Sequence, residues 1–523
     1  MIQELKHQIG QLFMVGFDAL EANDHIKRLI RRHRIGGVIL FRRNVHTPEQ
    51  LSALCRELQE INAEVSDIPL LIAIDQEGGM VMRIEQGVTP MPAAMAYQEA
   101  GSVEDCEKLS FICGDELRQM GINMNLAPIL DVNNNRLNPV IGVRAFGEDP
   151  DTVVRYGMAA IRGLRTAGVI ATAKHFPGHG DTSTDTHYAM ASVPHDKARL
   201  QAVELAPFRA AISEGVDAIM TAHVMFPAIE PDTSVPATLS KAVLTDLLRT
   251  EMGFQGAVIS DCLEMAAIAE GVGVVKGAVA TLAAGTDIVL VSHHEERQQA
   301  AIEAAIEAAL RGVLSRERIA QALARVQRLK HSAAVRDWRD RPVKPEGLMQ
   351  PDALALAKRV QKAALRVDGA FRPLNKQLPV TLITFEVRSR SEIDEVALAR
   401  NKEARSSMLP GLQQAGFDVR EFALSAEALD TEVADALAFA ADAQQIVVQS
   451  YNAMLVEGQR RFIVAMPAEK LWLVAGRLPY DLDLVPTAQG RVAAPCSTLQ
   501  AFASAGKTHL GTLRFRSGNR GMR

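Results

Sequence analysis

Cysteine is scarce in this chain, five in 523 residues, at Cys55, Cys106, Cys113, Cys262 and Cys496. An odd, scattered set without a Cys-x-x-Cys pair gives no disulfide framework and no thiolate zinc site, and it fits free thiols in a reducing compartment. The start, MIQELKHQIGQLFMVGFDAL, lacks a basic leader followed by an apolar core and a small-residue cleavage site. No run of about 18 apolar residues marks a membrane span. A cytoplasmic protein without a membrane partner is therefore expected. Excess charge of one sign is missing too: a net charge of -5 gives nucleic acid no electrostatic hold. A small molecule is the expected ligand. Compositionally biased stretches and short-period repeats are also absent, which excludes a disordered or solenoid chain.

What is present is a folded composition, 48% apolar and 23% charged. The length exceeds what one hydrophobic core usually supports, about 250–300 residues, so two domains are expected. Eight short apolar runs recur through the first two thirds: QLFMVGF (11–17), GGVILF (36–41), LLIAID (70–75), MNLAPILDV (124–132), VIATAKHF (169–176), AIMTAH (218–223), AVISD (257–261) and DIVLVS (287–292). Most of the gaps hold helical patterns such as LQAVELAPFRAAISEG. Continuous apolar strands alternating with helices imply a parallel sheet, and eight such units predict an α/β fold of the (β/α)8 TIM-type barrel class. A doubly wound open sheet is the alternative. Asp75, His175, His223 and Asp261 end their runs. Both architectures gather such strand-terminal residues at one ligand-binding edge.

After the helical stretch 316–333 the composition turns to RDWRDRPVKPEG, charged and broken by Pro and Gly. The expected organisation is a barrel over 1–335, a linker over 336–352 and a smaller α/β sandwich domain over 353–523. That last region offers strands at VTLITFEV (380–387), QQIVVQS (444–450) and EKLWLVAGR (469–477), with a helix before the turn QQAGFDVREF.

The most polar segment runs from Ala173 to Val193, AKHFPGHGDTSTDTHYAMASV, and carries His175, His179, Asp181, Asp185 and His187. Metal ligation is the rival reading, but the loop has neither H-E-x-x-H spacing nor thiolates, and no metal or cofactor is expected. His179 and Asp181 are expected to satisfy the loop's own backbone. Asp185 and His187, two residues apart, project to one side of an extended segment. A carboxylate on one imidazole nitrogen orients the ring and raises the basicity of the other, which suits a proton carrier near neutral pH. Asp261, in AVISDCLEM, is either the N-cap of the helix that LEMAAIAE begins or a nucleophile at the pocket floor. In IDQEGGMVMR, Asp75 ends a strand, and two glycines are expected to admit a ligand close to the backbone. Arg144 and Lys174 add cationic donors, a mixture suited to saccharide hydroxyls.

Taken together, KHFPGHGDTSTDTH, IDQEGG, NPVIGVRAFGEDP and VISDCLEM resemble glycoside hydrolase family 3, in its β-N-acetylglucosaminidase branch and two-domain type. The resemblance covers about residues 5 to 335. It implies a retaining hydrolase with Asp261 as nucleophile, an acid/base dyad at Asp185 and His187, and sugar binding by Asp75, Arg83, Arg144, Lys174 and His175. Related β-glucosidases and β-xylosidases typically lack the D-x-H loop. One departure is Cys262, where many members carry a second acid after the nucleophile. Weaker similarity in QQIVVQSYNA and LWLVAGRLPYDL implies a supporting role, or an aglycone-side wall, for the C-terminal domain. The expected activity is exo-release of β-linked N-acetylglucosamine from muropeptide or chitooligosaccharide fragments. A phosphorylase, a β-glucosidase or β-xylosidase, and a silent sugar-binding protein are the alternatives, and oligomeric state is left open.

Overall fold

The computed structural model describes residues 2–183, 190–340, 347–386 and 407–495. The chain divides into two compact units, Met1–Ala357 and Lys358–Arg523. The division falls within the helix Pro351–Ala363. A separate linker over 336–352 stands as a proposal, and its residues 341–346 lie outside the described residues.

In the first unit all eight apolar runs form parallel strands: β1 (Phe13–Val15), β2 (Gly37–Leu40), β3 (Leu71–Ile74), β4 (Met124–Asn125), β5 (Ile170–Phe176), β6 (Ala218–Thr221), β7 (Ala257–Ile259) and β8 (Val289–Val291). Each pairs with its sequence neighbour from β1 to β7, and β1 also pairs with β8. Between β7 and β8 an isolated bridge, Ile259 to Ile288, nearly closes the ring. Side chains complete that seam: the Val258 amide donates to Asp287 Oδ2 at 3.0 Å and the Leu290 amide to Ser260 Oγ at 2.9 Å. The fourth run is shorter than expected. β4 stops at Asn125; Pro128, farther along, has no N–H to offer a ladder, and the run rejoins the sheet through a bridge between Ile129 and Lys174.

Helices cover the outside for reasons visible in their sequences. The helix Pro150–Thr166 starts with Asp149 accepting from the Thr152 amide and with Pro150 in the first turn, a capping arrangement that stabilises a helix by about 1 kcal/mol. Its face of Val153, Tyr156, Ile161 and Leu164 is buried. No helix among the described residues is long and apolar enough to cross a membrane.

The second unit holds a six-stranded sheet: β9 (Arg366–Val367), β10 (Val380–Glu386), β11 (Val419–Ser425), β12 (Gln445–Ser450), β13 (Leu471–Ala475) and β14 (Gly490–Ala493). The order is β9-β14-β13-β12-β10-β11, parallel except for β9 against β14. Alternation along the strands feeds two cores. Ile446, Val448, Leu471 and Leu473 pack on one face, with Phe462 and Ala436. Val447, Trp472 and Val474 pack on the other, with Leu412 and Met408. The expected turn QQAGFDVREF instead runs into β11, an edge strand whose mostly half-buried residues give little hydrophobic alternation.

Candidate active site

Each strand of the barrel is an apolar run that can stay buried only until it leaves the core, so its first polar residues emerge at the C-terminal end. Asp75 follows β3, His223 follows β6, and Asp261 follows β7, while Lys174 and His175 lie near the C-terminal end of β5. All five therefore belong to one face.

The densest part of that face is an ion cluster. Lys174 Nζ donates to Asp75 Oδ1 and lies equally close to Glu77 Oε1, 2.7 Å in both cases. Arg144, at the end of the single turn Gly142–Arg144, grips Glu77 with two parallel bonds of 2.9 and 2.8 Å and gives a third hydrogen to the Val140 carbonyl. Arg83 Nη2 lies 3.9 Å from Asp75 Oδ2. Burial alone would raise the Glu77 carboxyl, but Arg144 and Lys174 outweigh it and hold it well below the usual carboxylate range. Burial likewise works against the Lys174 ammonium, and Asp75 and Glu77 reverse the effect and raise it. The result is a desolvated set of paired charges that can present hydrogen-bonding groups to hydroxyl or amide dipoles.

Beside it, fully buried Asp131 accepts from the His175 amide at 3.2 Å, the His179 amide at 2.6 Å and His175 Nδ1 at 2.8 Å. The bond fixes Nδ1 of His175 as the protonated nitrogen, since a carboxylate only accepts. His179 is also buried, and desolvation pushes its ring down to about 4. Its Nδ1 pairs with Thr182 Oγ1 at 2.8 Å. Asn138 Nδ2 donates to the His179 and Gly180 carbonyls at 2.8 and 2.9 Å. Only glycine fits at 180, because a Cβ there would lie 1.7 Å from the Val132 carbonyl oxygen. Asp181 pairs with the side chain of His195; the loop residues 184–189 that follow it lie outside the described residues.

Asp261 accepts from the Cys262 amide at 2.7 Å. The helix that follows starts at Ala266 with Met265 as its N-cap, so Asp261 is not that helix's cap. His223 holds the turn from beneath. Its Nε2 donates to the Cys262 carbonyl at 2.9 Å, and its Nδ1 pairs with Thr238 Oγ1 at 2.8 Å. Cys262 itself is buried.

Residues 4–329 match the family model described as glycosyl hydrolase family 3 N terminal domain. The chain belongs to glycosyl hydrolase family 3. It is 37% identical over 330 residues to Beta-hexosaminidase A of Pseudoalteromonas piscicida, covering 58% of this chain and 54% of that protein. The chain thus spans about half the length of that relative. It is 38% identical over 289 residues to a Beta-hexosaminidase of Alkalilimnicola ehrlichii, covering 54% of this chain and 81% of that one. A solved family 3 β-N-acetylglucosaminidase from Paenibacillus sp. str. FPU-7 superposes with a TM-score of 0.88 at 43% identity, covering 97% of this chain and 98% of that one.

In this family 3 barrel the expected binding residues Asp75, Arg83, Arg144 and Lys174 come together around Glu77, with His175 next to Lys174 in β5. Asp185 and His187 lie outside the described residues. The two glycines of IDQEGG meet a packing constraint within the chain itself. Gly78 and Gly79 have φ of +106° and +60°, and Cβ atoms there would meet Pro92 and Ala93 of the same chain at 2.3 and 2.5 Å. Three participants escaped the sequence reading. Glu77 and Asp131 stood inside motifs already noticed. The third, Arg43 stacked 4.5 Å over Phe41 and donating to His293 Nδ1 at 3.0 Å, had no signal beyond two ordinary basic residues after β2.

Proposed function

We propose that this chain is a retaining, exo-acting β-N-acetylglucosaminidase that releases terminal β-linked N-acetylglucosamine from muropeptide or chitooligosaccharide fragments. The observation that carries the reading is the C-terminal barrel face, where Asp261 ends one strand without capping the next helix and Asp75, Glu77, Lys174 and Arg144 form a buried charged surface. The names of the two sequence relatives and of the Paenibacillus structure support the sugar.

In the first proposed step an Asp261 oxygen attacks the anomeric carbon while His187, oriented by Asp185, gives a proton to the departing glycosidic oxygen; a glycosyl ester forms as the old C–O bond breaks. In the second, His187 takes a proton from water, the water oxygen adds to the anomeric carbon, and Asp261 leaves as a carboxylate. Asp75, Arg83, Arg144, Lys174 and His175 hold the sugar's hydroxyl and acetamido groups. A histidine base repels an anionic acceptor less than a carboxylate would, so phosphate belongs in the assay. The location proposed with this reading is cytoplasmic, supported by Cys55, Cys106, Cys113 and Cys262 as buried free thiols, and cell fractionation tests it.

The deciding experiment follows turnover of 4-nitrophenyl N-acetyl-β-glucosaminide by wild type, Asp261→Ala and His187→Ala, with and without phosphate, against the matching glucoside. The expected result is wild-type preference for the acetamido sugar, a loss of at least about 10³-fold in Asp261→Ala, and a loss in His187→Ala that is greatest for poor leaving groups. Phosphate-dependent turnover would make the enzyme a phosphorylase. Full activity in Asp261→Ala would overturn the nucleophile, and an inactive wild type would overturn the activity.

A further inference from the structure

The turns that leave β7 and β8 meet on the C-terminal face of the barrel. Cys262 and Glu264 follow β7, and His293 follows β8. The amides of His293 and His294 donate to the Glu264 carboxylate at 2.6 and 3.2 Å, and His294 Nδ1 lies 2.7 Å from it. One ligand-type atom from each of Cys262, Glu264 and His293 then falls within 4.8 Å of the other two. Cys262 is buried and the Glu264 side chain is 2% exposed, while His293 is only half-buried, so the set is walled on the protein side and reachable past the imidazole.

A thiol, an imidazole and a carboxylate are the donors of a three-ligand zinc site, whose fourth position is left to water. Thiolate and imidazole select zinc over magnesium and calcium, which prefer oxygen donors alone. The ligands have capacity for an ion. Two carboxylate oxygens offer about four lone-pair positions, and the three bonds to Glu264 just described leave room for a metal. Arg43 Nη1 donates to His293 Nδ1 at 3.0 Å, so that nitrogen carries the lone pair a metal takes. An ion there displaces one hydrogen of Arg43, which stays held by the Phe17 and Ser292 carbonyls and by the Phe41 ring. Arg297, 3.6 Å from Glu264, is 47% exposed and can swing away into solvent. A second set, Asp181, His195 and Glu204, is differently placed: it has no thiol, and Arg199 donates to both oxygens of Glu204 at 2.9 and 2.8 Å, filling the place of a cation.

We infer that Cys262, Glu264 and His293 bind a thiophilic divalent cation, zinc in the first instance, and that its binding slows the activity proposed above, on which this second half rests. As the sulfur–metal bond forms, the Cys262 thiol gives its proton to water. The dication then sits beside Asp261, whose carboxylate accepts from the Cys262 amide at 2.7 Å. A nearby positive charge stabilises a carboxylate and makes it a poorer attacking group. No short motif announces the site, because its ligands come from two strand ends far apart in the chain.

The test uses the full chain stripped with EDTA, with zinc followed by equilibrium dialysis and cobalt by its thiolate charge-transfer absorption, in wild type, Cys262→Ser, His293→Gln and His195→Gln. Thermal unfolding in EDTA checks the fold of each. Loss of an outer-shell partner weakens metal binding by about 10- to 100-fold, and loss of a direct ligand costs at least as much. Cys262→Ser and His293→Gln are therefore expected to bind zinc at least about 10-fold more weakly, Cys262→Ser without the cobalt band, and His195→Gln as tightly as wild type. Turnover of 4-nitrophenyl N-acetyl-β-glucosaminide, compared with and without zinc within each protein, should fall at least about 10-fold in wild type, return with EDTA, and fall less than about twofold in Cys262→Ser. A wild type without the band, or a band that persists in Cys262→Ser, would overturn the site. Zinc bound there with turnover unchanged would overturn the inhibition. A wild type inactive without metal would overturn the proposed activity and the inhibition with it, while dialysis and absorption still decide the site.

Discussion

The barrel carries an ion cluster at each end of its strands, and the two are wired differently. At the N-terminal end, fully buried Asp287 meets Arg249 at 2.5 Å, Arg318 at 2.7 Å and Arg325 at 3.2 Å. Further guanidinium hydrogens go to main-chain carbonyls, from Arg249 to Phe254 and Gly256, and from Arg318 to Leu282, Gly285 and Thr286. At the C-terminal end, side chains face side chains: Lys174 between Asp75 and Glu77, Arg144 on Glu77. Asp75 keeps 14% of its side chain open to solvent. Donors that end on backbone join helices to strands. Donors and acceptors that end on one another, with one carboxylate still reachable, can rearrange their hydrogen bonds around a ligand. This matches the division of labour between the two ends of such barrels.

The comparison is broken most severely at Lys174. Lys174→Met leaves Asp75 and Glu77 without their shared cation, and removing one partner of a buried pair costs about 3–5 kcal/mol. Both a lower unfolding free energy in urea and a fall of at least about 100-fold in kcat/KM are expected. Unchanged activity would remove the cluster from the binding surface. Asp287→Ala should cost a similar 3–5 kcal/mol, by stranding three guanidinium groups, while kcat of the folded fraction stays within about twofold. A matching loss of kcat would show that the two ends are not separable. Arg144→Lys keeps the charge but forfeits the two-pronged grip on Glu77. About 1.5–3 kcal/mol of stability is expected to go with the lost charge-assisted bond.

The smallest effect is on acid stability. His179 titrates near 4 in the folded chain, against an ordinary value of 6.5. Between those values the unfolded chain binds the extra proton, so this histidine's contribution is complete above pH 6.5 and is lost as pH falls toward 4. His179→Asn should flatten the urea midpoint over that window, relative to wild type; an unaltered slope would mean the ring is not held neutral.

Much of this arrangement could be read from residue order. Eight apolar runs became eight strands, because a strand buried on both faces leaves no choice but continuous apolar sequence. Asp75, Lys174, His175 and Asp261 were findable because each interrupts such a run at its end. What escaped was set by distance in the chain. Glu77 pairs with Arg144 across 67 positions and Asp131 with His175 across 44, and neither spacing follows from local periodicity. The packing requirement at Gly78 and Gly79 was hidden for the same reason: their close neighbours, Pro92 and Ala93, come from a later part of the chain. β11 was missed because a half-exposed edge strand carries too little hydrophobic contrast to stand out.

At the seam between β7 and β8, two amides depend on side-chain acceptors, Val258 on Asp287 and Leu290 on Ser260. Hydrogen exchange at those amides is therefore a local gauge of how often the ring opens, separable from global unfolding. One lip of that opening is the strand that leads into Asp261, so the rigidity of the carboxylate proposed as nucleophile is tied to a joint made by a serine and an aspartate.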